Sequence, residues 1–90
     1  MRVVWDPRKA ASNLTKHRVS FEEAATALTD KMAVTGIDPD HSVGELRWLT
    51  FGASVRGRLL VVAHTEEHDT IRIISARVAT RLERKLYEEG

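Results

Sequence analysis

The amino-acid sequence predicts an α+β fold, in which two N-terminal helices and one C-terminal helix accompany a small antiparallel sheet of four to five strands. Two helix-start signals lie near the N-terminus, extended segments with short turns follow, and an apolar period of 3.6 residues returns near the C-terminus. The predicted order is β-α-α-β-β-β-β-α. Consecutive strands on short connections favour antiparallel pairing, with the helices segregated from the sheet.

The first helix is predicted from the dipeptide Asp6-Pro7, which follows a short strand over residues 3–5. Asp6 is a good N-cap and Pro7 suits the first helical position, so the helix runs from about Pro7 to His17. Its polar stripe is formed by Lys9, Asn13 and Lys16, and its core face by Ala10 and Leu14.

A capping box predicts the second helix. Ser20 followed three residues later by Glu23 is the pattern in which each side chain satisfies a backbone N–H of the other residue. The apolar side chains that this helix is expected to bury are Phe21, Ala24, Ala25 and Leu28.

Four strands and a third helix complete the prediction. The strands are placed at residues 32–35, 46–51, 58–65 and 70–76. The third of these is apolar on both faces and is therefore predicted to be central in the sheet. The last helix begins at about Arg77. Its core stripe is predicted to contain Val78, Leu82 and Leu86, and its basic side Arg77, Arg81, Arg84 and Lys85.

Length and composition indicate one ordinary soluble domain over residues 1–90. The chain is 42% hydrophobic and 30% charged, and no apolar run approaches the roughly 20 residues of a membrane helix. It contains no cysteine, which excludes disulfides and thiolate metal sites and is consistent with a cytoplasmic protein. No secretory signal is evident, and neither a cofactor nor a membrane partner is expected.

The net charge of +1 conceals a segregation of charges along the chain. Residues 1–20 carry five cations and one acid, residues 21–46 one cation and six acids, and residues 47–87 eight cations and four acids. Ten of the fourteen cations are arginines, whose planar fork suits phosphate. The basic segments therefore indicate a polyanionic partner, although two solvated faces would give the same pattern.

Several runs resemble the BrnT family of bacterial type II toxins. They cover nearly the whole chain in the family's order and spacing. The runs are Trp5-Asp6-Pro7-x-Lys9-Ala10, Asn13-x-x-Lys16-His17-x-Val19-Ser20-Phe21-Glu22-Glu23-Ala24, Gly57-Arg58-Leu59-Leu60-Val61-Val62, Thr65-Glu66, Ile71-Arg72-Ile73-Ile74-Ser75-Ala76-Arg77 and Glu83-Arg84-x-x-Tyr87-Glu88. The resemblance implies a fold similar to RelE-type ribonucleases and metal-free RNA cleavage that arrests growth. It also implies neutralisation by a BrnA-like antitoxin protein, through which alone the toxin reaches operator DNA.

Metal-free RNA cleavage requires a base for the 2′-hydroxyl, an acid for the leaving oxygen, and cations around the phosphate. We assign Glu66, at the end of the central strand, as the candidate base, and Arg72 and Arg77 as candidate phosphate ligands. His17 and Lys9 are candidates for the acid or for further electrostatic stabilisation. The remaining candidate RNA-binding residues are Asn13, Lys16, Arg58, Arg81, Arg84 and Tyr87.

Each assignment has a structural alternative. His17 at a helix end can cap carbonyl groups, Lys9 and Lys16 can be plain surface lysines, and Glu66 can pair with Arg72 across the strands. Tyr87 can close the last helix against the sheet, and the cations of that helix can face solvent or an acidic partner. No metal site is expected. At the level of function, the alternatives are a non-catalytic module that binds RNA or the antitoxin, acting mainly in operon repression, and a protein that blocks translation by binding RNA.

Overall fold

Asp6 and Ser20 begin the two N-terminal helices as the sequence predicts. The computed structural model describes residues 1–40 and 44–89. The Asp6 carboxylate accepts a hydrogen bond from the backbone N–H of Arg8 (2.8 Å), and the Ser20 hydroxyl accepts one from that of Glu23 (3.0 Å). The elements in chain order are β1 (Arg2–Trp5), α1 (Pro7–His17), α2 (Phe21–Ala27), β2 (Val34–Ile37), β3 (Trp48–Ala53), β4 (Leu59–Glu67), β5 (Thr70–Val78) and α3 (Arg81–Glu89).

The five strands form one sheet in the order β1-β5-β4-β3-β2. The predicted class and element order are confirmed, and β4 is the central strand. One pairing differs from the prediction, because β1 runs parallel to β5 while the other three pairs are antiparallel. The sheet is therefore mixed. β1 leads directly into α1 and occupies the edge of β5 that the hairpin strands leave free, and nothing in a four-residue strand encodes which edge it joins.

Helices α1 and α2 cover one face of the sheet, which we call the helix face. Its fully buried side chains include Leu60 and Val62 of β4 and Phe21 of α2. The Trp5 ring meets the Phe21 ring edge-on, with centroids 6.0 Å apart. Helix α2 lies so close to β3 that a Cβ added at Gly52 would overlap the Ala27 carbonyl oxygen. The opposite face, which we call the back face, carries alternate residues of the same strands, among them Val61, Thr65, Arg72, Ser75 and Arg77.

Three predictions about the helices are wrong. Leu14 of α1 is 49% exposed, because α1 turns its buried Asn13 toward the sheet instead. The third helix begins at Arg81 and not at Arg77, because β5 continues to Val78 and a capping box at Thr80 starts the helix. In that box the Thr80 hydroxyl accepts from the Glu83 N–H and the Glu83 carboxylate accepts from the Thr80 N–H. The predicted core stripe of this helix is consequently exposed.

Within residues 1–40 and 44–89, no helix has both the length and the apolar character needed to cross a membrane.

Candidate functional site

A β-bulge interrupts β5 beside α1. Ala63 and His64 of β4 are consecutive, but their partners on β5 are Ser75 and Ile73, so Ile74 is an extra residue. A bulge of this kind bends the strand and redirects the side chains around it. The bulge directly follows Ile73, the last residue of β5 that pairs with β1. It therefore lies where β1 ends and α1 takes its place along the edge of β5.

The buried side chain of Asn13 joins α1 to this edge. Its amide nitrogen donates to the Ala76 carbonyl (2.8 Å) and to the Val19 carbonyl (2.9 Å), and its oxygen accepts from the Ala76 N–H (3.0 Å). The amide thus pairs with Ala76 as a neighbouring strand would. Asn13 was predicted to contact RNA, but it is only 6% exposed and its amide is already engaged, so the structure gives it a scaffolding role.

A groove of about 200 Å³ lies between α1 and the bulge. The predicted residues Lys9, Lys16 and His17 all line it, together with Ser12, Asn13, Ile74 and Ser75. No acidic side chain is among the lining residues. In the part of the chain that the structure describes, Lys9, Lys16 and His17 make no hydrogen bond or ion pair through their side chains. The groove therefore presents two unpaired ammonium groups and an imidazole, with serine hydroxyls beside them.

A larger cleft of about 530 Å³ lies at the end of the β4–β5 hairpin. It contains the predicted residues Glu66 and Arg72, but its charge is unfavourable for RNA. Three carboxylates, of Glu45, Glu66 and Glu67, line it against one guanidinium, and Arg72 already donates to Glu45 at 3.0 and 3.2 Å. The charged side chains that line the larger cleft are therefore net negative and those that line the smaller groove net positive, which makes the groove the better phosphate site.

Glu66 and the two predicted phosphate-binding arginines project from opposite faces of the sheet. Thr65 pairs with Arg72 and Val61 with Arg77, which places both arginines on the back face. Glu66 pairs with Ile71 on the helix face, where its carboxylate lies 3.9 Å from Nδ1 of His64. Glu66 therefore lines the same cleft as Arg72 without sharing its face. The alternative ion pair between Glu66 and Arg72 is not formed.

His64 is fully buried and belongs to a hydrogen-bonded chain across three strands. Its Nε2 lies 2.7 Å from the Thr50 hydroxyl, which in turn lies 2.8 Å from the Thr35 hydroxyl. Burial lowers the pKa of His64, against a smaller opposing effect of the Glu66 charge. The imidazole is thus a buried group of the core, within the hydrogen-bonded chain. Among the described residues, no three His, Asp or Glu side chains are grouped so that they could hold a metal ion.

Arg77 is engaged by α3. Its two terminal nitrogens donate to the Glu83 carboxylate at 2.7 and 2.8 Å. The Arg77 guanidinium, with smaller help from Thr80, lowers the pKa of Glu83 to about 2 although burial opposes this. The Tyr87 hydroxyl donates to Asp30, between α2 and β2, and this bond helps to hold α3 against the fold. Arg81 and Arg84, on the same helix, are exposed.

Arg58 is also engaged within the fold. It precedes β4 and donates two hydrogen bonds to the carboxylate of Glu23, whose side chain is 4% exposed. A third bond goes to the Arg18 carbonyl (3.0 Å). Arg58 was predicted to bind RNA, but its fork is occupied by α2 and the turn after α1, and the structure gives it a scaffolding role.

Sequence reasoning missed Ser12 and Ser75 of the groove. Ser12 precedes Asn13 on α1, and a helical wheel drawn around Lys9 and Lys16 could have drawn attention to it. Ser75 carries no such signal, because its position depends on a bulge that strand periodicity does not reveal.

Two comparisons with known proteins cover most of the chain. The sequence model of the family described as "Ribonuclease toxin, BrnT, of type II toxin-antitoxin system" matches residues 5–83. The structure is similar to the 1.1 Å crystal structure of the Brucella abortus ribonuclease toxin BrnT, with a TM-score of 0.65 and 20% sequence identity. That alignment covers 90% of this chain and 99% of the Brucella chain. A comparison with curated proteins gives no match.

Proposed function

Because the chain belongs to the BrnT family of ribonuclease toxins of type II toxin–antitoxin systems, we propose that it cleaves RNA without a metal. We place the reaction in the groove between α1 and the β5 bulge. The observation that carries this proposal is the set of unpaired side chains in the groove, Lys9, Lys16 and His17, with no acidic residue beside them. Two ammonium groups supply the positive charge that a phosphate needs as its transition state forms.

The groove contains the groups for attack by the RNA 2′-hydroxyl. His17 accepts the 2′-hydroxyl proton as the 2′-oxygen bonds to phosphorus, since imidazole is the side chain that most often transfers protons near neutral pH. Lys9, at the other end of the stripe, donates a proton to the departing 5′-oxygen as the P–O bond breaks. Lys16 neutralises the phosphate, and the products are a 2′,3′-cyclic phosphate and a 5′-hydroxyl.

The arginines enter this proposal in different ways. Arg72 is on the back face with Ser75, and its pair with Glu45 is exposed on both sides and hence weak, so a phosphate of the bound RNA can replace that carboxylate. Arg77 anchors α3 through a less exposed pair, and we assign it no direct role in the reaction. In this proposal His17 is the base in place of Glu66, because Glu66 lies on the opposite face of the sheet from Arg72.

We also propose that a BrnA-like antitoxin neutralises the protein in the cytoplasm, where its RNA substrate is found, and that any operator DNA is contacted through the antitoxin alone. The family description supports a protein partner, because it names one half of a toxin–antitoxin pair.

The experiment that tests this function is incubation of purified, antitoxin-free protein with RNA in EDTA. We expect fragments with 2′,3′-cyclic phosphate ends, because the 2′-hydroxyl is the nucleophile. RNA that stays intact in EDTA and is cleaved on addition of Mg²⁺ contradicts the metal-free mechanism. RNA that is bound but never cleaved supports the non-catalytic alternative.

A further inference from the structure

Helix α3 differs from the other two helices in how little of it is buried. None of its residues is buried, and Leu82 and Leu86 are 66% and 61% exposed. Val78, at the end of β5, is 43% exposed. A nine-residue helix is marginal in water on its own, and helices in proteins are normally stabilised by packing an apolar face. The apolar face of α3 is therefore largely exposed in the described part of this chain.

Polar contacts on a different side hold α3 in place. Glu83 binds Arg77, and Tyr87, one turn later, binds Asp30. Leu82 and Leu86 also lie one turn apart and form a neighbouring row that these contacts leave free. We call this row, with Val78, the α3 leucine stripe. Large exposed apolar groups in a row, rimmed by charge, mark an interaction surface.

The border of the stripe is mainly basic. Arg81 and Lys85 each precede one of the leucines and form a row along its other side, which Glu89 ends, and all three residues are exposed. Neither cationic side chain has a hydrogen bond or ion pair among the described residues. The stripe with its border is therefore complementary to a helix that carries leucine-like residues in its centre and carboxylates at its edge.

We propose that the α3 leucine stripe and its basic border are the docking surface for an acidic amphipathic helix of the antitoxin. The inference rests on the proposed function in one respect, that the partner is an antitoxin. A second copy of this chain fits less well, because a symmetric pairing brings the same cations of both copies to one interface. The surface of three side chains is also far smaller than the roughly 800 Å² that each partner buries in a stable interface, so the occupant must contact residues beyond α3 as well.

The test uses a synthetic 21-residue helical peptide with leucines on one face and glutamates flanking them. We expect it to bind the full chain, and to bind the double variant Leu82→Glu/Leu86→Glu at least tenfold more weakly. The control Ile37→Glu changes a similarly exposed apolar residue (55%) on the distant edge strand β2 and should bind as wild type does. A peptide with lysines in place of the glutamates should bind at least tenfold more weakly than the acidic one. Equal affinity of the acidic peptide for wild type and the double variant overturns the proposal.

Three further measurements test which partner occupies the stripe and whether the stripe acts independently of the groove. The protein whose co-expression relieves growth arrest defines the antitoxin, and it should fail to rescue cells expressing the double variant while rescuing those expressing Ile37→Glu. The double variant should cleave RNA within twofold of wild type, because the stripe lies outside the groove. If wild type cleaves no RNA, the proposed function fails, yet the peptide titration still decides the docking surface. Sedimentation that shows a wild-type dimer and a monomeric double variant assigns the stripe to a second copy and overturns the proposal.

Discussion

Glu23 is the residue at which a sequence motif and the structure differ most instructively. The spacing from Ser20 predicts a capping box, and half of it forms, since the Ser20 hydroxyl accepts the Glu23 N–H. The Glu23 carboxylate turns away from the helix start and binds Arg58 and Ser54. These contacts, chiefly with Arg58, lower the pKa of Glu23 against the effect of burial. A motif based on spacing along the chain could not reveal a partner 35 residues away.

Removal of Arg58 should therefore affect stability and not RNA contact. Arg58→Ala leaves a carboxylate that is 4% exposed without its main partner, and we expect a loss of about 2–3 kcal/mol in unfolding free energy, reduced by the Ser54 bond that remains. Urea unfolding measures this loss. Arg56→Ala is the control, because that side chain is 70% exposed and lies 3.7 Å from Glu23. Equal stability of the two variants, or weaker RNA binding by folded Arg58→Ala, contradicts the scaffolding role.

The groove shows how far residue patterns reach. Helical spacing predicted that Lys9 and Lys16 share a stripe, and the structure brings both to the groove with His17. The facing wall could not be predicted, because Ile74 and Ser75 depend on the bulge. The separation of Glu66 from Arg72 and Arg77 could not be predicted either, because the arginines come from the neighbouring strand. Their face relative to that of Glu66 depends on the register between β4 and β5, which one strand's sequence does not contain.

At the scale of elements, α1 and α2 were predictable because their start signals are local. Helix α3 was misplaced because its apolar period continues backwards into β5 through Val78, while the Thr80–Glu83 capping box marks the true start. Its leucines were assigned to the core on the rule that apolar stripes are buried. That rule holds only when the whole partner surface is within the same chain.

The contribution of the Glu83–Arg77 pair, which holds α3 in place, to the free energy of unfolding should be lost at acid pH. The pKa of Glu83 falls from 4.5 to about 2 in the fold, so the carboxylate stabilises the folded protein fully above about pH 4.5 and loses this effect as pH falls toward 2. Wild type should exceed Glu83→Gln in unfolding free energy by up to about 3 kcal/mol at pH 6. The comparison is made by urea unfolding at pH values from 6 to 2.5, where Glu23 and Asp30 contribute equally to both proteins. A difference that stays constant down to pH 2.5 contradicts the assigned pairing.

At the scale of the whole molecule, the sequence predicts the α+β class, the element order and the central position of β4, all of which the structure confirms. These depend on local patterns and on the doubly apolar run at Leu59–Val62. The parallel pairing of β1 was not predictable, because it depends on which sheet edge is free after the hairpins have formed. That pairing matters for the site, since β1 ends before Ala76 and leaves the strand edge to Asn13 and α1.

The central claim is that the groove between α1 and the β5 bulge cleaves RNA, and single-turnover cleavage in EDTA by matched variants tests it most directly. His17→Ala should lose about 10²–10⁴-fold in rate, and Lys9→Ala and Lys16→Ala about 10²–10³-fold each, with folding checked by circular dichroism. The controls are Lys31→Ala, a lysine outside the groove, and His68→Asn and Glu66→Gln in the larger cleft; all three should cleave within about twofold of wild type. Full cleavage by the groove variants, together with loss of cleavage in Glu66→Gln, contradicts the account and places the reaction in the larger cleft.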